Sequence, residues 1–188
     1  FVNLEAGKGG VYRENGRLLE SSRHRRRSKD FTAGNETLLD QDRIGLISRK
    51  LPGKWVYLGW YFNHYGHFLL ESLARSWFLL DQGETDVRGY LFHLHARDGR
   101  PNGRNMEVLE LLGLHREEVA FIDRDLRVER LVVPTLLMVL SRAMHDSMHA
   151  VYRRIATRAQ ALAKKERYPG KIYVSRRLLP EGQRKAVN

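Results

Sequence analysis

Four polar side chains that can exchange protons or hydrogen bonds recur at intervals of four residues in one stretch: Asn63, His67, Glu71 and Arg75. Because an α-helix repeats about every 3.6 residues, this spacing predicts one polar stripe along, or leading into, a single helix. Seven large apolar side chains within 68–79 would bury much of that helix. We therefore expect part of the stripe to face a cleft, as active-site residues do.

His67 and Glu71 are suited to moving a proton. An unperturbed imidazole titrates near about 6.5, whereas an unperturbed glutamate carboxyl titrates near about 4.3 and needs burial to act as a base at neutral pH. A carboxylate four residues along a helix can also hold an imidazole in one tautomer and stabilise its protonated form. We predict His67 as base or acceptor contact and Glu71 as base or orienter, and the sequence leaves open which takes the proton.

Each residue of the stripe also has a purely structural interpretation. His67 can be a hydrogen-bonded boundary residue, Glu71 and Arg75 can form an ordinary helix ion pair, and Asn63 can cap the helix. A metal site made by His64, His67 and Glu71 would lack the HExxH order of zinc hydrolases. We therefore expect no catalytic metal, and we predict that Asn63 and Arg75 bind substrate.

Two arginines near the end of the chain are candidates for binding phosphate. Arg176 and Arg177 follow a predicted strand at 172–174, and strand ends in open α/β sheets line the ligand crevice. A guanidinium group can bind phosphate oxygens in a fork, which suits a departing diphosphate. The structural alternative for this pair is a basic turn that faces solvent.

The elements that must position these residues alternate between strands and helices. In chain order we predict a β-hairpin around Asn15-Gly16, strands at 44–47 and 55–58, a helix at 66–80, a strand at 90–94, a helix at 105–112, a strand at 119–122, a helix at 143–167 and a strand at 172–174. Pro52-Gly53 is typical of a turn, and Gly113 of a helix end. The order predicts an α/β fold: a Rossmann-like parallel sheet with flanking helices and an N-terminal β-hairpin section.

Composition excludes several classes of protein. The 188 residues are 42% hydrophobic, which suits one folded domain rather than a disordered chain. Cysteine is absent, which excludes disulfides and thiol chemistry. The sequence contains no apolar run of about 18 residues and no signal peptide at its start, so we expect a cytoplasmic protein.

The net charge of +11 favours anionic partners. The densest basic run, at 23–29, has three interpretations: a solvated loop, a contact with an anionic membrane or polyanion, and a nucleic-acid contact. No aromatic side chain interrupts this run for base stacking, so we expect no nucleic-acid partner. A basic binding module for nucleic acid or an acidic polymer stays the alternative to an enzyme.

Residues 63–71, read as N-H-Y-G-H-F-L-L-E, precede K-I-Y-V-S-R-R at 171–177 and R-K-A-V-N at 184–188. This combination resembles glycosyltransferase family 61, whose members carry N-Y-x-H-F-x-x-[DE] after a strand, then Y-[IV]-S-R-R and R-x-[IV]-x-N-E. The resemblance extends from about residue 57 to the end. It implies an inverting glycosyltransferase of the two-domain GT-B arrangement, which uses a nucleotide sugar and no metal cofactor.

The resemblance also implies an organisation and a setting. Residues 1–170 are expected to form the N-terminal, acceptor-side domain, and 171–188 the start of the crossover to a second domain, so that the chain alone is not independently active. Arg184 matches the family's next arginine and is expected to bind donor phosphate with Arg176 and Arg177. The expected partners are a nucleotide sugar and a glycan acceptor in bacterial capsule or surface polysaccharide biosynthesis, at the inner membrane face.

Overall fold

The computed structural model describes residues 2–3, 10–23, 39, 41–81, 86–94, 100–140 and 142–163. The strands are β1 (Val2–Asn3), β2 (Gly10–Val11), β3 (Lys50–Tyr61), β4 (Val87–Leu94), β5 (Val119–Ile122), β6 (Arg127–Val132), β7 (Met138–Val139) and β8 (Ala143–Met144). The α-helices are α1 (Gln41–Gly45), α2 (Tyr65–Leu70), α3 (Gly103–Leu112) and α4 (Met148–Leu162). Three segments form 3-10 helices: Glu20–Ser22, Ser72–Leu80 and Arg116–Glu118. The predicted strand at 172–174 and the boundary at 170–171 lie outside the described residues.

Four parallel strands form the central sheet in the order β5-β4-β3-β6. Helical segments connect β3 to β4 and β4 to β5, as parallel neighbours require. The prediction of an α/β fold with a parallel sheet and flanking helices is therefore confirmed. The chain then crosses to the opposite edge of the sheet, where β6 pairs in parallel with β3 rather than with β5.

The two faces of the sheet are covered differently. On one face Val56, Leu58 and Phe92 pack against buried residues of α2, α3 and α4. On the other face Tyr57 and Leu91 pack with Val11, Ile122 and Leu126. Neighbouring strand residues point to opposite faces, so β3 and β4 contribute to both cores. The helices therefore lie on one side, while the N-terminal section and the β5–β6 link lie on the other.

The predicted hairpin is present in reduced form. A single antiparallel bridge joins Tyr12 to Leu18, and the Arg13 N–H donates to the Arg17 carbonyl at 2.9 Å. Gly16 adopts φ 78°, the positive value that Asn-Gly turns use. The sequence prediction of the turn is confirmed, although the pairing on either side is short.

The strand predicted at 44–47 is wrong, because residues Gln41–Gly45 form the short helix α1. Ile44 and Ile47 are both buried, whereas Leu46 is 83% exposed. A strand would have placed Ile44 and Leu46 on the same face, while the three-residue spacing of the two isoleucines fits a helical turn. A pattern of only four residues was too short to distinguish the helical repeat from the strand repeat.

The turn predicted at Pro52-Gly53 is also wrong, because β3 runs through both residues. Gly53 adopts φ 86°, and the register of β3 against β6 shifts between Leu51 and Lys54. Such a shift is a β-bulge, a position that often takes glycine at positive φ. The Gly53 N–H donates to the Glu129 carboxylate at 2.8 Å instead of to a strand neighbour.

The helix predicted over 66–80 is divided into two unlike segments. α2 ends at Leu70, Glu71 adopts φ −116°, and a 3-10 helix covers Ser72–Leu80. One backbone carbonyl of this 3-10 helix is bonded to a residue outside it: the Ala74 carbonyl accepts from the Leu137 N–H at 3.0 Å. A 3-10 helix has about three residues per turn, so Arg75 is rotated by about 120° from Glu71 rather than by about 40°. The prediction of one continuous polar stripe from Asn63 to Arg75 is therefore wrong.

The remaining predicted elements match the structure closely, apart from the last helix, whereas the edge strand β6 was not predicted. The strands at 90–94 and 119–122 and the helix at 105–112 are confirmed, and Gly113 ends α3 with φ 98°. α4 begins at Met148 rather than at 143, because Ala143–Met144 pairs with Met138–Val139 as a small hairpin. Among the described residues, no helix is long and apolar enough to cross a membrane.

We expect Gly59→Ala to destabilise the protein by about 1–2 kcal/mol. Gly59 lies inside β3 at φ 103°, where a Cβ strains the backbone, while the nearest atom to that Cβ would be Arg75 Nη1 at an ordinary 3.5 Å. Urea denaturation of the variant measures the loss. Gly103→Ala is the control, because a Cβ there meets nothing within 4 Å and φ is not positive, so its stability should stay within about 0.5 kcal/mol of wild type. Equal effects in both variants would contradict the strain argument.

Candidate active site

His67 and Glu71 form a hydrogen-bonded pair at the carboxyl end of β3. The Nδ1 of His67 lies 2.5 Å from Oε1 of Glu71. The Glu71 side chain is 2% exposed, whereas that of His67 is 40% exposed. The glutamate is therefore buried behind the histidine, and the imidazole reaches the surface. Since Glu71 directly follows α2, the four-residue spacing survives between these two residues even though the helix changes type beyond them.

The geometry of this pair fits proton transfer. An ionised carboxylate only accepts hydrogen bonds, so His67 donates its Nδ1–H to Glu71. With the proton on Nδ1, the lone pair of the ring lies on Nε2, as a base requires. The rings of His64 and Phe62 are the aromatic neighbours of His67, with centres 4.9 Å and 5.9 Å from that of its imidazole.

Asn63 connects the end of β3 to the start of α3. Its Nδ2 donates to the Arg100 carbonyl at 2.8 Å, and its Oδ1 accepts from the Asn102 N–H at 3.0 Å. Asn102 is the N-cap of α3 and donates its own Nδ2 to the Asn63 carbonyl at 2.8 Å. Asn63 does not cap α2, since His64 occupies that position. The side chain thus holds the loop beside the His67–Glu71 pair, and its contact with substrate stays a prediction.

We expect Asn63→Ala to destabilise the protein by about 0.5–1.5 kcal/mol, because the exposed Arg100 carbonyl and the half-buried Asn102 N–H lose their side-chain partner. Faster amide exchange should be confined to the start of α3 and its preceding loop. Hydrogen exchange read by mass spectrometry measures both effects. Asn63→Asp keeps the acceptor for Asn102 but removes the donor to Arg100, so its cost should be intermediate. An unchanged exchange pattern in Asn63→Ala would show that the Asn63 side chain does not hold this loop in place.

Arg75 does not lie with His67 and Glu71. It is 2% exposed, donates to the Ser21 carbonyl and places its guanidinium carbon 5.7 Å from the centre of the Tyr57 ring. Burial lowers the pKa of Arg75, and the neighbouring Tyr57 acts in the opposite direction. The ion pair with Glu71 that the sequence allowed is thus absent from the contacts of Arg75 within the described ranges. Its predicted role with substrate has to be argued from a different place in the fold.

Three aromatic residues beside Arg75 form a buried polar cluster that the sequence analysis missed. The Tyr57 hydroxyl lies 2.8 Å from Nδ1 of His93, whose ring stacks on Trp60 at 4.8 Å. His93 is fully buried, and burial raises the pKa of Tyr57 above its ordinary value while Arg75 lowers it. The alternation of apolar residues in β3 and β4 could have indicated that positions 57 and 93 face inward. The alternation could not have shown that Tyr57 and His93 contact each other.

Most of the other residues predicted to bind a ligand lie outside the described part of the chain. Arg176, Arg177 and Arg184 lie outside the described residues, as does the basic run after Arg23. Arg23 itself is held by Glu20 at 2.8 Å and 3.0 Å. On α4, Arg158 donates to the Leu111 carbonyl at 3.2 Å and so caps the end of α3.

No three histidine and acidic side chains are placed to hold a metal ion in the part of the chain that the structure describes. Comparisons with protein-family models, with curated proteins and with solved structures find no match to this chain. The chemistry of the site therefore has to be argued from its own geometry.

Proposed function

We propose that this chain is the acceptor-side domain of an inverting glycosyltransferase, in which His67 and Glu71 activate an acceptor hydroxyl. The observation that carries the proposal is the buried Glu71 carboxylate, bonded at 2.5 Å to a histidine that reaches the surface. A helix ion pair on an exposed face would not need one partner buried. An imidazole with a buried carboxylate behind it is the arrangement by which other enzymes orient a general base.

The parallel sheet supports this location. In open α/β sheets, ligands bind outside the carboxyl ends of the strands, and α2 begins four residues after β3 ends. His67 therefore stands at the edge where such folds bind their ligands. The resemblance of residues 63–71 to family 61 points to the same two side chains. We accordingly assign the base to His67 and the orienting role to Glu71, which its burial keeps from direct contact with substrate.

In the proposed reaction, Nε2 of His67 takes the proton of an acceptor hydroxyl. The acceptor oxygen then forms a bond to the anomeric carbon of the nucleotide sugar from the face opposite the phosphate. The bond between that carbon and the phosphate oxygen breaks, and the nucleoside diphosphate leaves with the electron pair. Glu71 stabilises the imidazolium that results. Arg176, Arg177 and Arg184 are proposed to neutralise the departing phosphate, and a second domain of a GT-B enzyme is proposed to hold the nucleotide.

The proposal is tested by measuring sugar transfer from a panel of radiolabelled nucleotide sugars to bacterial polysaccharide fragments. The 188-residue chain and the longest form of the protein that contains it should be assayed in parallel. Transfer with inversion at the anomeric carbon, read by proton NMR of the product, is the expected result for the longer form. Retention of configuration would contradict an inverting base. Absence of transfer from every donor by both forms would overturn the proposed activity.

A further inference from the structure

Two fully buried polar side chains hold the backbone of Phe62, just beyond the end of β3. The Phe62 N–H donates to Oγ of Ser72 at 3.0 Å, and the Phe62 carbonyl accepts from Nδ2 of Asn105 at 2.9 Å. The pairing of β3 with β4 ends one residue earlier, at Tyr61. Since buried backbone groups need hydrogen-bond partners, the two side chains take the place of a neighbouring strand.

Phe62 is linked in turn to both members of the His67–Glu71 pair. The centre of its ring lies 5.9 Å from that of the His67 imidazole. Ser72 follows Glu71 directly, so the bond from its hydroxyl to Phe62 fixes the backbone next to the carboxylate. The contacts therefore form a closed loop: from Phe62 to the imidazole, from the imidazole to the carboxylate at 2.5 Å, and through Ser72 back to Phe62.

Glu71 lies at the junction of two unlike helical segments, where a regular helix does not fix its backbone. α2 ends at Leu70, the 3-10 helix begins at Ser72, and Glu71 between them adopts φ −116°. Without the Ser72 hydroxyl, the Phe62 N–H would lose its partner in a place that is closed to water. The backbone would have to shift to satisfy this donor, and Glu71 is the adjacent residue.

Asn105 holds the other side of the same peptide unit. Its Nδ2 also lies 3.3 Å from the Asn63 carbonyl, and its backbone N–H donates to Oδ1 of Asn102 at 2.8 Å. Asn105 lies in the first half of α3, which spans Gly103–Leu112. The end of β3 is thus attached to a ten-residue helix on one side and to the residue after Glu71 on the other.

We propose that Ser72 and Asn105 are positioning residues for the His67–Glu71 pair. Both are fully buried and act through the Phe62 backbone, so that the carboxylate stays within hydrogen-bond reach of Nδ1 of the imidazole. Their effect on the rate of sugar transfer rests on the proposed function. Their effect on where the imidazole carries its proton does not, and it can be measured separately.

Nitrogen NMR of the 188-residue chain with isotopically labelled histidine tests the proposal without an assay of sugar transfer. In alkaline buffer, where an ordinary imidazole is neutral, we expect His67 to carry its proton on Nδ1. The His67→Ala spectrum identifies the signals of this residue among the eight histidines. Ser72→Ala should lower the ratio of the Nδ1–H to the Nε2–H tautomer at least about 5-fold, the equivalent of one weakened hydrogen bond. Asn105→Leu, which removes the donor to Phe62, should change the ratio in the same direction.

Ser76→Ala is the matched control. Ser76 lies four residues further along the same 3-10 helix and is equally buried, but its Oγ has no hydrogen-bond partner in the part of the chain that the structure describes. The substitution therefore removes the same atom from a similar environment without removing a bond. Its tautomer ratio should stay within about 2-fold of wild type.

In the longest form of the protein, Ser72→Ala should lower kcat at least about 10-fold and leave KM within about 2-fold, because the base is misplaced while the substrate contacts remain. An unchanged tautomer ratio in folded Ser72→Ala overturns the proposal, and so does an equal change in Ser76→Ala. If Ser72→Ala does not fold, Ser72→Cys takes its place, since its sulfur is a weak acceptor of similar size. A lowered ratio in Ser72→Ala alone supports the positioning role even where wild type transfers no sugar, a result that would overturn only the proposed activity.

Discussion

His67→Ala should lower the rate of sugar transfer by about 10²–10⁴-fold, the range that a positioned general base contributes. The loss should appear in kcat more than in KM, because the proton moves only as the transition state forms. Initial rates with saturating donor and acceptor measure it. Circular dichroism of the same samples shows whether the variant has kept its fold.

Glu71→Gln should have a smaller effect, on the order of 10²-fold, because the imidazole remains in place but loses the charge behind it. The two residues act through one hydrogen bond at 2.5 Å, so their effects should not add. The double variant should be no slower than the worse single variant by more than about 3-fold. Additive losses would indicate that Glu71 acts separately from His67.

His64→Ala is the matched control for the pair. His64 is a second exposed imidazole, its ring is 4.9 Å from that of His67, and it has no side-chain capping bond to α2. Its removal should change kcat by less than about 5-fold. A loss as large as that of His67→Ala would move the base to His64. Full activity in His67→Ala would exclude this helix as the catalytic element.

The sequence predicted three strands of the sheet because each contains a run of apolar residues, but it missed β6, in which three charged residues interrupt the apolar ones. The strand at 119–122 and the end of α3 at Gly113 match the structure, since both depend on local signals. The bulge at Gly53 and the helix at Ile44 were mispredicted for the opposite reason. In each case a partner distant in the chain decides the conformation, Glu129 for the bulge and the core around Tyr12 for the helix.

The candidate site was predictable only where it depends on spacing along one helical turn. His67 and Glu71 are four residues apart within α2 and its last turn, and they do meet. Arg75 continues the same spacing in the sequence, but the 3-10 geometry of Ser72–Leu80 turns it toward Ser21 and Tyr57. A local sequence pattern cannot predict these contacts, because Ser21, for example, lies 54 positions away in the chain.

Phe68→Ala should destabilise the protein by about 3–5 kcal/mol, the range for removing a buried aromatic side chain. Phe68 is fully buried, follows His67 directly and packs edge-on against Tyr61 with ring centres 5.4 Å apart. This contact joins α2 to the end of β3, so its loss should loosen the backbone that carries the catalytic pair. Chemical denaturation with a constant m-value measures the cost.

Leu70→Ala separates this anchoring from a general effect on α2. Leu70 lies on the same helix but is 37% exposed, so its truncation should cost less than about 1.5 kcal/mol. Where both variants are folded, Phe68→Ala should also lower kcat, because His67 and Glu71 keep their chemistry but lose their fixed orientation. A destabilised Phe68→Ala with wild-type kcat would mean that the pair is held by its own hydrogen bond and needs no support from the core.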